Sequence, residues 1–205
     1  MKNRIGIFGG LFDPVHLGHL SMAKCALHGG NLDKVIFVPN GQPPHKNGDS
    51  ASGEHRFNML EIATKGFDAF SVSDYELDTS VYHYTVDTMR YFRKIYPDSE
   101  VVFILGADSL NYVDKWMDAK NLILENTFLV INRNFDIEYN ISDNINRVKA
   151  LGGKVQKIDM PFVDISSTRI RFAIKNNLSA KDMLPEGVWK YIEDKKLYIG
   201  EDHDH

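Results

Sequence analysis

Short apolar runs recur along the chain, and longer amphipathic segments separate them. The runs are rich in Val, Ile and Phe and show little apolar–polar alternation, as expected for strands that are buried on both faces of a parallel sheet. The intervening segments carry apolar residues at the three- and four-residue spacing of helices. This alternation predicts an α/β fold, a doubly wound, mostly parallel Rossmann-like sheet with helices on both faces.

The apolar runs and amphipathic segments define the predicted elements. The predicted strands are Arg4–Phe8, Lys34–Pro39, Phe70–Ser73, Glu100–Leu105, Thr127–Asn132 and Val155–Asp159. The predicted helices are His19–His28, Gly53–Lys65, Val86–Tyr96 and Ile141–Leu151, with an irregular helical stretch over Ser109–Glu125. The stretch Asn40–Ser52 is predicted to be a surface loop, because Pro43-Pro44 interrupts both helical and ladder hydrogen bonding.

Composition narrows the class of protein. The chain has 205 residues, 43% of them hydrophobic, which predicts one globular domain over residues 1–200 with a polar tail at 201–205. A net charge of −4 argues against binding duplex nucleic acid through its phosphates. The lone Cys25 excludes a disulfide within the chain and a cysteine-based zinc site. Without an 18-residue apolar stretch, we expect no membrane association and a cytoplasmic location.

The most informative stretch follows the first predicted strand and reads GGLFDPVHLGH, residues 9–19. Gly9 and Gly10 permit a tight turn and close approach of a ligand, and Pro14 suits the first turn of a helix. His16 and His19 are three residues apart, so they share one side of that turn at its N-terminal end. The turn leaves the carboxyl end of a strand, where α/β sheets bind ligands, and it predicts an anion site.

A second stretch, ISSTRIR, covers residues 165–171. Its hydroxyl residues are candidate caps for a helix running through Ile174, and Arg171 lies one turn into that helix. Taken alone, this stretch fits an ordinary cap with a solvated arginine equally well. Beside the first motif, it predicts a second group of phosphate ligands.

Together the two motifs resemble those of the nucleotidyltransferases related to class I aminoacyl-tRNA synthetases. His16-Leu17-Gly18-His19 is similar to the (T/H)xGH motif of that superfamily, and ISSTRIR to the second motif of its adenylyltransferase branch. PPHK at 43–46, YTVDT at 84–88, GADSLNYVDKW at 106–116 and NR at 132–133 extend the resemblance over nearly the whole chain. It is closest to the bacterial nicotinate mononucleotide adenylyltransferases, which implies ATP and nicotinate mononucleotide as substrates and nicotinate adenine dinucleotide and pyrophosphate as products.

The resemblance also implies roles for individual residues. The expected catalytic residues are His16, His19, Lys46 and Arg171. ATP contacts are expected at Gly9, Gly10, Phe12, His16, His19, Ile165, Ser167, Thr168 and Arg171. Substrate contacts are expected at Lys46, Thr85, Asp108, Trp116 and Arg133. Mg²⁺ should arrive with ATP, because it commonly keeps its waters and binds phosphate oxygens, and no protein metal site is expected.

Several alternatives stay open at this point. Trp116 could be plain core, Asp108 an ordinary helix cap and Lys46 a solvated loop residue. Leu11 stands where the family usually has Thr or Ser, and Asn134-Phe135 stands where Pro-Gly is more usual. Rival functions are a phosphopantetheine adenylyltransferase or other adenylyl- or cytidylyltransferase of the same fold, and a nucleotide-binding sensor without activity. Assembly into a homo-oligomer is compatible with the sequence.

Overall fold

A single six-stranded parallel sheet organises the part of the chain that the structure describes. The structure is a computed structural model and describes residues 2–41, 50–133 and 141–199, without the side chain of Arg133. The strand order is β3-β2-β1-β4-β5-β6, and each neighbouring pair is parallel. The strands are β1 (Arg4–Gly10), β2 (Lys34–Pro39), β3 (Phe70–Val72), β4 (Glu100–Gly106), β5 (Thr127–Arg133) and β6 (Lys154–Met160).

Helices connect the strands and follow the last one. They are α1 (Leu17–Gly29), α2 (Gly53–Thr64), α3 (Thr85–Ile95), α4 (Ala107–Leu110), α5 (Ala119–Glu125), α6 (Ile141–Ala150), α7 (Ser167–Lys175) and α8 (Glu186–Asp194). Short 3₁₀ turns occupy Val113–Lys115 and Lys181–Met183. None of the helices within the described ranges has the length and apolar character needed to span a bilayer.

The predicted fold class is confirmed, and the sheet is wholly parallel rather than mostly so. Each predicted strand is present. β2 has the predicted bounds, and the other strands differ from prediction by at most two residues at an end. β1 and β4 both extend into glycines that lie outside the predicted strands. Gly9 and Gly10 still pair with β2, and Gly106 still pairs with β5, at the edge of the sheet where the site is expected.

The helices differ more from the prediction. α1 begins at Leu17 rather than His19, because His16 already acts as its N-cap. The irregular stretch at 109–125 divides into α4, a 3₁₀ turn and α5. The sequence did not predict α8, whose fully buried positions are Val188 and Ile192.

Two apolar cores lie on opposite faces of the sheet. On the first face, α1, α2, α7 and α8 pack against it; on the second face, α3, α4, α5 and α6 do so. Phe37 and Phe128, both fully buried, belong to the first and second core respectively. Burial on both sides explains why the strands read as continuous apolar runs.

Candidate functional site

The strand order reverses between β1 and β4, which are neighbours in the sheet although β2 and β3 separate them in the chain. Phe8 is paired with Phe37 of β2 and with Ile104 of β4. This register brings the end of β1 at Gly10 and the end of β4 at Gly106 to the same level. Open parallel sheets bind ligands beyond the carboxyl ends of strands at such a reversal. The predicted site therefore lies where the topology favours one.

The turn that leaves β1 is built around the ring of Phe12. This residue has a left-handed backbone (φ 50°) and is 2% exposed. Its ring packs edge-on against Phe8 and Phe37, with centroids 5.3 and 5.7 Å apart. A Cβ on Gly10 would lie 3.0 Å from the ring, so a larger residue there would push the ring aside by a few tenths of an ångström. Gly9 and Gly10 are both half-buried. Because the Phe12 ring fills the core, the backbone is the part of Phe12 left to face a ligand.

His16 and His19 lie together at the start of α1. Their rings stack, with centroids 3.7 Å apart and 26° between the planes. The main-chain N–H of His16 donates to Nδ1 of His19 over 3.3 Å. An accepting Nδ1 places the proton of a neutral imidazole on Nε2, from which it can be donated to an anion. His16 is buried and His19 half-buried, and His19 also packs edge-on against Phe12.

Gly18 makes the stacked arrangement of the two rings sterically feasible. A Cβ at this position would lie 2.9 Å from both Cε1 and Nδ1 of His16. It would also lie 3.8 Å from the main-chain oxygen of Ile165, the first residue of the second motif. The glycine between the histidines is therefore required by the His16 ring, whereas the distance to Ile165 is one that an added Cβ would tolerate.

Two hydrogen bonds join the second motif to the first. Ser167 Oγ donates to the main-chain oxygen of Pro14 over 3.0 Å, and Arg171 Nη1 donates to that of Asp13 over 2.6 Å. Ser166 caps α7 by accepting a main-chain N–H at 3.2 Å, which confirms the predicted cap. The structure thus brings a helix N-terminus and an arginine to the same turn as the two histidines.

The remaining residues predicted for the phosphate side are placed less completely. Thr168 is exposed in the first turn of α7, and Ile165 is half-buried against the first-face core. Lys46 lies outside the described residues. Arg133 is the last residue of β5, but its side chain and residues 134–140 also lie outside them.

Thr85, Asp108 and Trp116 belong to the other side of the sheet. Thr85 is the half-buried first residue of α3, and Asp108 is exposed in α4, just beyond β4. Trp116 is half-buried and packs edge-on against Phe103 of the second-face core, with centroids 6.1 Å apart. The candidate site therefore has two halves: the histidines and Arg171 on the first face, and these three residues on the second.

Asp13 is a buried carboxylate within the turn, and sequence reasoning gave it no role. It is 1% exposed. Its Oδ1 accepts from the main-chain N–H of Ala51 (3.0 Å) and from the Tyr198 hydroxyl (2.6 Å), and its Oδ2 accepts from Ser50 Oγ (2.6 Å). Arg171 Nη1 lies 4.0 Å from Oδ2. The carboxylate connects the turn to the segment before α2, to α7 and to the C-terminal segment.

Arg56 of α2 is a second buried charge that the sequence did not reveal. It is 0% exposed and donates to three main-chain oxygens, those of Leu11 (2.8 Å), Asn40 (2.6 Å) and Ala51 (3.3 Å). Burial lowers the pKa of the Arg56 guanidinium, and the charge of Asp13 opposes that shift. An arginine in a polar-looking helix gives no local sign of burial, whereas Asp13 at least stands within the motif.

A buried acid in the segment between β3 and α3 contacts the first turn of α3. Glu76 is 9% exposed, and its Oε1 accepts a hydrogen bond from Thr88 Oγ1 over 2.5 Å. Burial raises the pKa of Glu76, whereas the Thr88 hydrogen bond and the nearby His83 act in the opposite direction. Thr88 belongs to the YTVDT stretch, so this contact ties the beginning of α3, where Thr85 lies, to the segment after β3.

Comparison with known proteins places the chain in a family. Residues 7–173 match the family model described as "Cytidylyltransferase-like". A protein of Caldicellulosiruptor saccharolyticus is 39% identical over 199 residues, which are 95% of this chain and 98% of that protein. A protein of Listeria monocytogenes is 39% identical over 202 residues, 97% of this chain and 98% of that protein. Both carry the name "Probable nicotinate-nucleotide adenylyltransferase". The chain belongs to this adenylyltransferase family.

Solved structures agree with the architecture of this family member. Two structures of Plasmodium falciparum nicotinic acid mononucleotide adenylyltransferase, one complexed with APC and one with NaAD, match it with TM-scores of 0.78 and 0.76. Each is 22% identical to this chain, and the matches cover 97% and 96% of it and 98% and 97% of those chains. At this level of identity the likeness shows a shared fold.

Proposed function

We propose that this chain transfers the adenylyl group of ATP to nicotinate mononucleotide, giving nicotinate adenine dinucleotide and pyrophosphate in the biosynthesis of NAD. The phosphate of the mononucleotide attacks the α-phosphorus of ATP in line, and pyrophosphate leaves without a covalent enzyme intermediate. The observation that carries this proposal is the joining of α7 to the histidine turn by Arg171 and Ser167 at the strand-order reversal. The full-length relatives that bear the name of this activity support it.

The first-face residues supply the phosphate chemistry in this proposal. Attack by one anion on another builds negative charge on the equatorial oxygens of the α-phosphate, so fixed donors and cations stabilise the transition state. His19 donates from Nε2, since its Nδ1 is occupied by the N–H of His16. His16 is held against it as the second donor. The Arg171 guanidinium, the Thr168 hydroxyl and the first N–H groups of α7, including that of Ser167, hold the β- and γ-phosphates, while the Ser167 hydroxyl donates to Pro14.

In this proposal, Mg²⁺ enters the site together with ATP. Over residues 2–41, 50–133 and 141–199, no group of three or more His, Cys, Asp or Glu side chains could hold a metal ion. The phosphate oxygens would supply the ligands that Mg²⁺ prefers, and the ion would offset their charge. The protein residues then need only bind the metal–nucleotide complex. Lys46 stays a predicted additional cation.

The second-face residues select the acceptor in this proposal. Trp116 stacks on the pyridine ring. Main-chain N–H groups at the start of α3, around Thr85, donate hydrogen bonds to the ring carboxylate. Asp108 and Arg133 contact the rest of the nucleotide. Nicotinamide presents an amide of similar shape whose NH₂ would face these donors. A desolvated polar group left unpaired commonly reduces kcat/KM by about a hundredfold or more.

Steady-state release of pyrophosphate at saturating Mg-ATP tests the proposal. We expect nicotinate mononucleotide to exceed nicotinamide mononucleotide by at least about a hundredfold in kcat/KM. Trp116→Ala should weaken both acceptors and leave most of that ratio intact, because stacking does not distinguish them. Equal use of both mononucleotides would refute the acid selectivity. Turnover with phosphopantetheine alone would assign the chain to the rival adenylyltransferase, and binding without turnover would make it a sensor.

Three other expectations from the sequence stay predictions. They are the single domain over residues 1–200 with a polar tail, the cytoplasmic location and the assembly state, for which the sequence is compatible with a homo-oligomer. Size-exclusion chromatography with light scattering would measure the last of these directly.

A further inference from the structure

Tyr198 brings its hydroxyl to the Asp13 carboxylate from near the end of the described chain. The two oxygens are 2.6 Å apart although 185 residues separate them in sequence, and Tyr198 is 6% exposed. Burial raises the pKa of the Tyr198 phenol well above its ordinary value, and the charge of Asp13 raises it further. The phenol therefore keeps its proton at neutral pH and stays a donor to the carboxylate.

The segment that delivers Tyr198 has an unusual backbone. Lys196 and Tyr198 both lie in the left-handed region, with φ 52° and 65°. Residues other than glycine reach this region at an energetic cost, which surrounding contacts must outweigh. The N–H of Leu197 donates to the main-chain oxygen of Ile192 over 3.0 Å and so fixes the chain as it leaves α8. The backbone conformation of the segment from Lys196 to Tyr198 places the phenol against Asp13.

Asp13 links this hydroxyl to the phosphate side of the site. Its carboxylate is held by Tyr198 and Ser50, and its main-chain oxygen accepts from Arg171 Nη1. The next main-chain oxygen, that of Pro14, accepts from Ser167 of α7. Because carboxylate and carbonyl belong to one residue, the orientation of Asp13 sets the position from which the Arg171 guanidinium extends.

We propose that the Asp13 carboxylate and the Tyr198 hydroxyl form a positioning pair for adenylyl transfer, which acts through Arg171 and touches neither substrate. This inference rests on the proposed function, in which Arg171 holds the β- and γ-phosphates of ATP. Removing the hydroxyl takes one hydrogen-bond donor from Asp13 Oδ1, so the turn relaxes. The main-chain oxygen of Asp13 then no longer holds the Arg171 guanidinium in one position. The defect should then appear on the ATP side of the reaction and spare the acceptor.

Tyr198→Phe tests the pair, and Tyr191→Phe is its matched control. Tyr191 lies in the same C-terminal region, and its hydroxyl pairs with His55 Nδ1 (2.9 Å) and accepts from Asn58 Nδ2 (3.2 Å), which joins α8 to α2 away from the turn. We expect Tyr198→Phe to lose at least about tenfold in kcat/KM for ATP, with KM for nicotinate mononucleotide within about twofold of wild type. Tyr191→Phe should stay within about twofold in both.

Unchanged ATP kinetics in folded Tyr198→Phe would overturn the proposal, and so would an equal loss in Tyr191→Phe, which would indicate general packing. A cycle with Arg171→Lys separates positioning from independent damage. If Tyr198 acts through Arg171, the double variant should be no worse than Arg171→Lys alone by more than about twofold. Losses that multiply would overturn it, because they would show independent effects.

Ser50→Ala keeps the proposal testable if Tyr198→Phe does not fold at the assay temperature. Ser50 Oγ donates to the other carboxylate oxygen of Asp13, Oδ2. Because Ser50 is only half-buried, its replacement by alanine disturbs the packing less than a change at Tyr198. The same ATP-side loss is expected, and wild-type ATP kinetics in folded Ser50→Ala would overturn the role of the carboxylate. An inactive wild-type enzyme in the same assay would instead refute the proposed function, so the two failures are distinguishable.

Discussion

Gly18→Ala separates catalysis from stability at the histidine turn. Gly18 is the second residue of α1, and a Cβ there would lie 2.9 Å from two atoms of the His16 ring. Ordinary contacts to a Cβ begin at 3.4 Å. The ring must therefore move by about half an ångström or tilt, which disturbs its stack on His19.

This substitution has one effect on folding stability and another on the rate of the reaction, and the two are measured by different experiments. Alanine is favoured over glycine inside a helix by about 0.5–1 kcal/mol, whereas overpacking costs about 1–3 kcal/mol. The free energy of unfolding should thus fall by no more than about 2.5 kcal/mol. The kinetic effect acts on the transition state alone, since loss of one donor lowers kcat by about 10²–10³ and misplacement by about 1 Å costs about 10². We expect kcat to fall by about 10–100-fold.

Gly187→Ala is the control for this experiment. Gly187 is likewise the second residue of its helix, α8, and its added Cβ would lie 2.7 Å from Cγ2 of Ile62, away from the turn. Urea unfolding of both variants and kcat from pyrophosphate release would be compared. A comparable change in stability with loss of kcat in Gly18→Ala alone is the expected result. If folded Gly18→Ala retained the kcat of Gly187→Ala, the position of His16 would not matter to the reaction.

Two further predictions follow from single contacts. Arg171→Lys should lose at least about tenfold in kcat/KM for ATP, because an ammonium cannot reproduce a planar two-pronged contact. Arg169→Lys, whose partner is the exposed Asp164, should stay within about twofold, and equal kinetics of the two variants would show that Arg171 does not bind ATP. Glu76→Gln should gain stability relative to wild type as pH rises. Burial raises the pKa of Glu76 in the folded state above its ordinary 4.5. Between the ordinary pKa and the raised one, the folded state binds more protons than the unfolded state, so the stability of the wild type falls as pH rises, whereas glutamine does not titrate. Urea unfolding at several pH values above 4.5 measures the gap, and a gap that does not change with pH would show that the pKa is not raised.

The sequence predicted the features that depend on near neighbours. β2 was predicted with its observed bounds, since burial on both faces leaves an unbroken apolar run between polar residues. His16 and His19 could be placed together because residues three apart in sequence share one side of a helical turn. The hydroxyl residues 166–168 were candidate caps of the following helix, and Ser166 is the one that caps it. Parallel strands then brought both motifs to one edge of the sheet.

The features that were missed depend on contacts between distant segments. Asp13 meets Ser50, Ala51 and Tyr198, which lie 37, 38 and 185 residues away, and no local pattern encodes such pairings. The burial of Arg56 has no sign in the sequence, because its partners are main-chain oxygens, which every residue has. α8 is a nine-residue helix whose buried residues Val188 and Ile192 do have helical spacing, but nine residues are too few for a helix to be stable alone. Packing against α2 and the first-face core, which are distant in sequence, stabilises it.

The separation of the two halves of the site by the sheet has an evolutionary consequence. Residues around the histidines are anchored in the first core, whereas Thr85, Asp108 and Trp116 are carried by helices and turns of the second. With the proposed roles, selection for a different acceptor would fall on segments that share no core with the phosphate-binding turn. New acceptor specificities can then arise by drift and repacking on one layer while the transfer chemistry on the other is inherited unchanged.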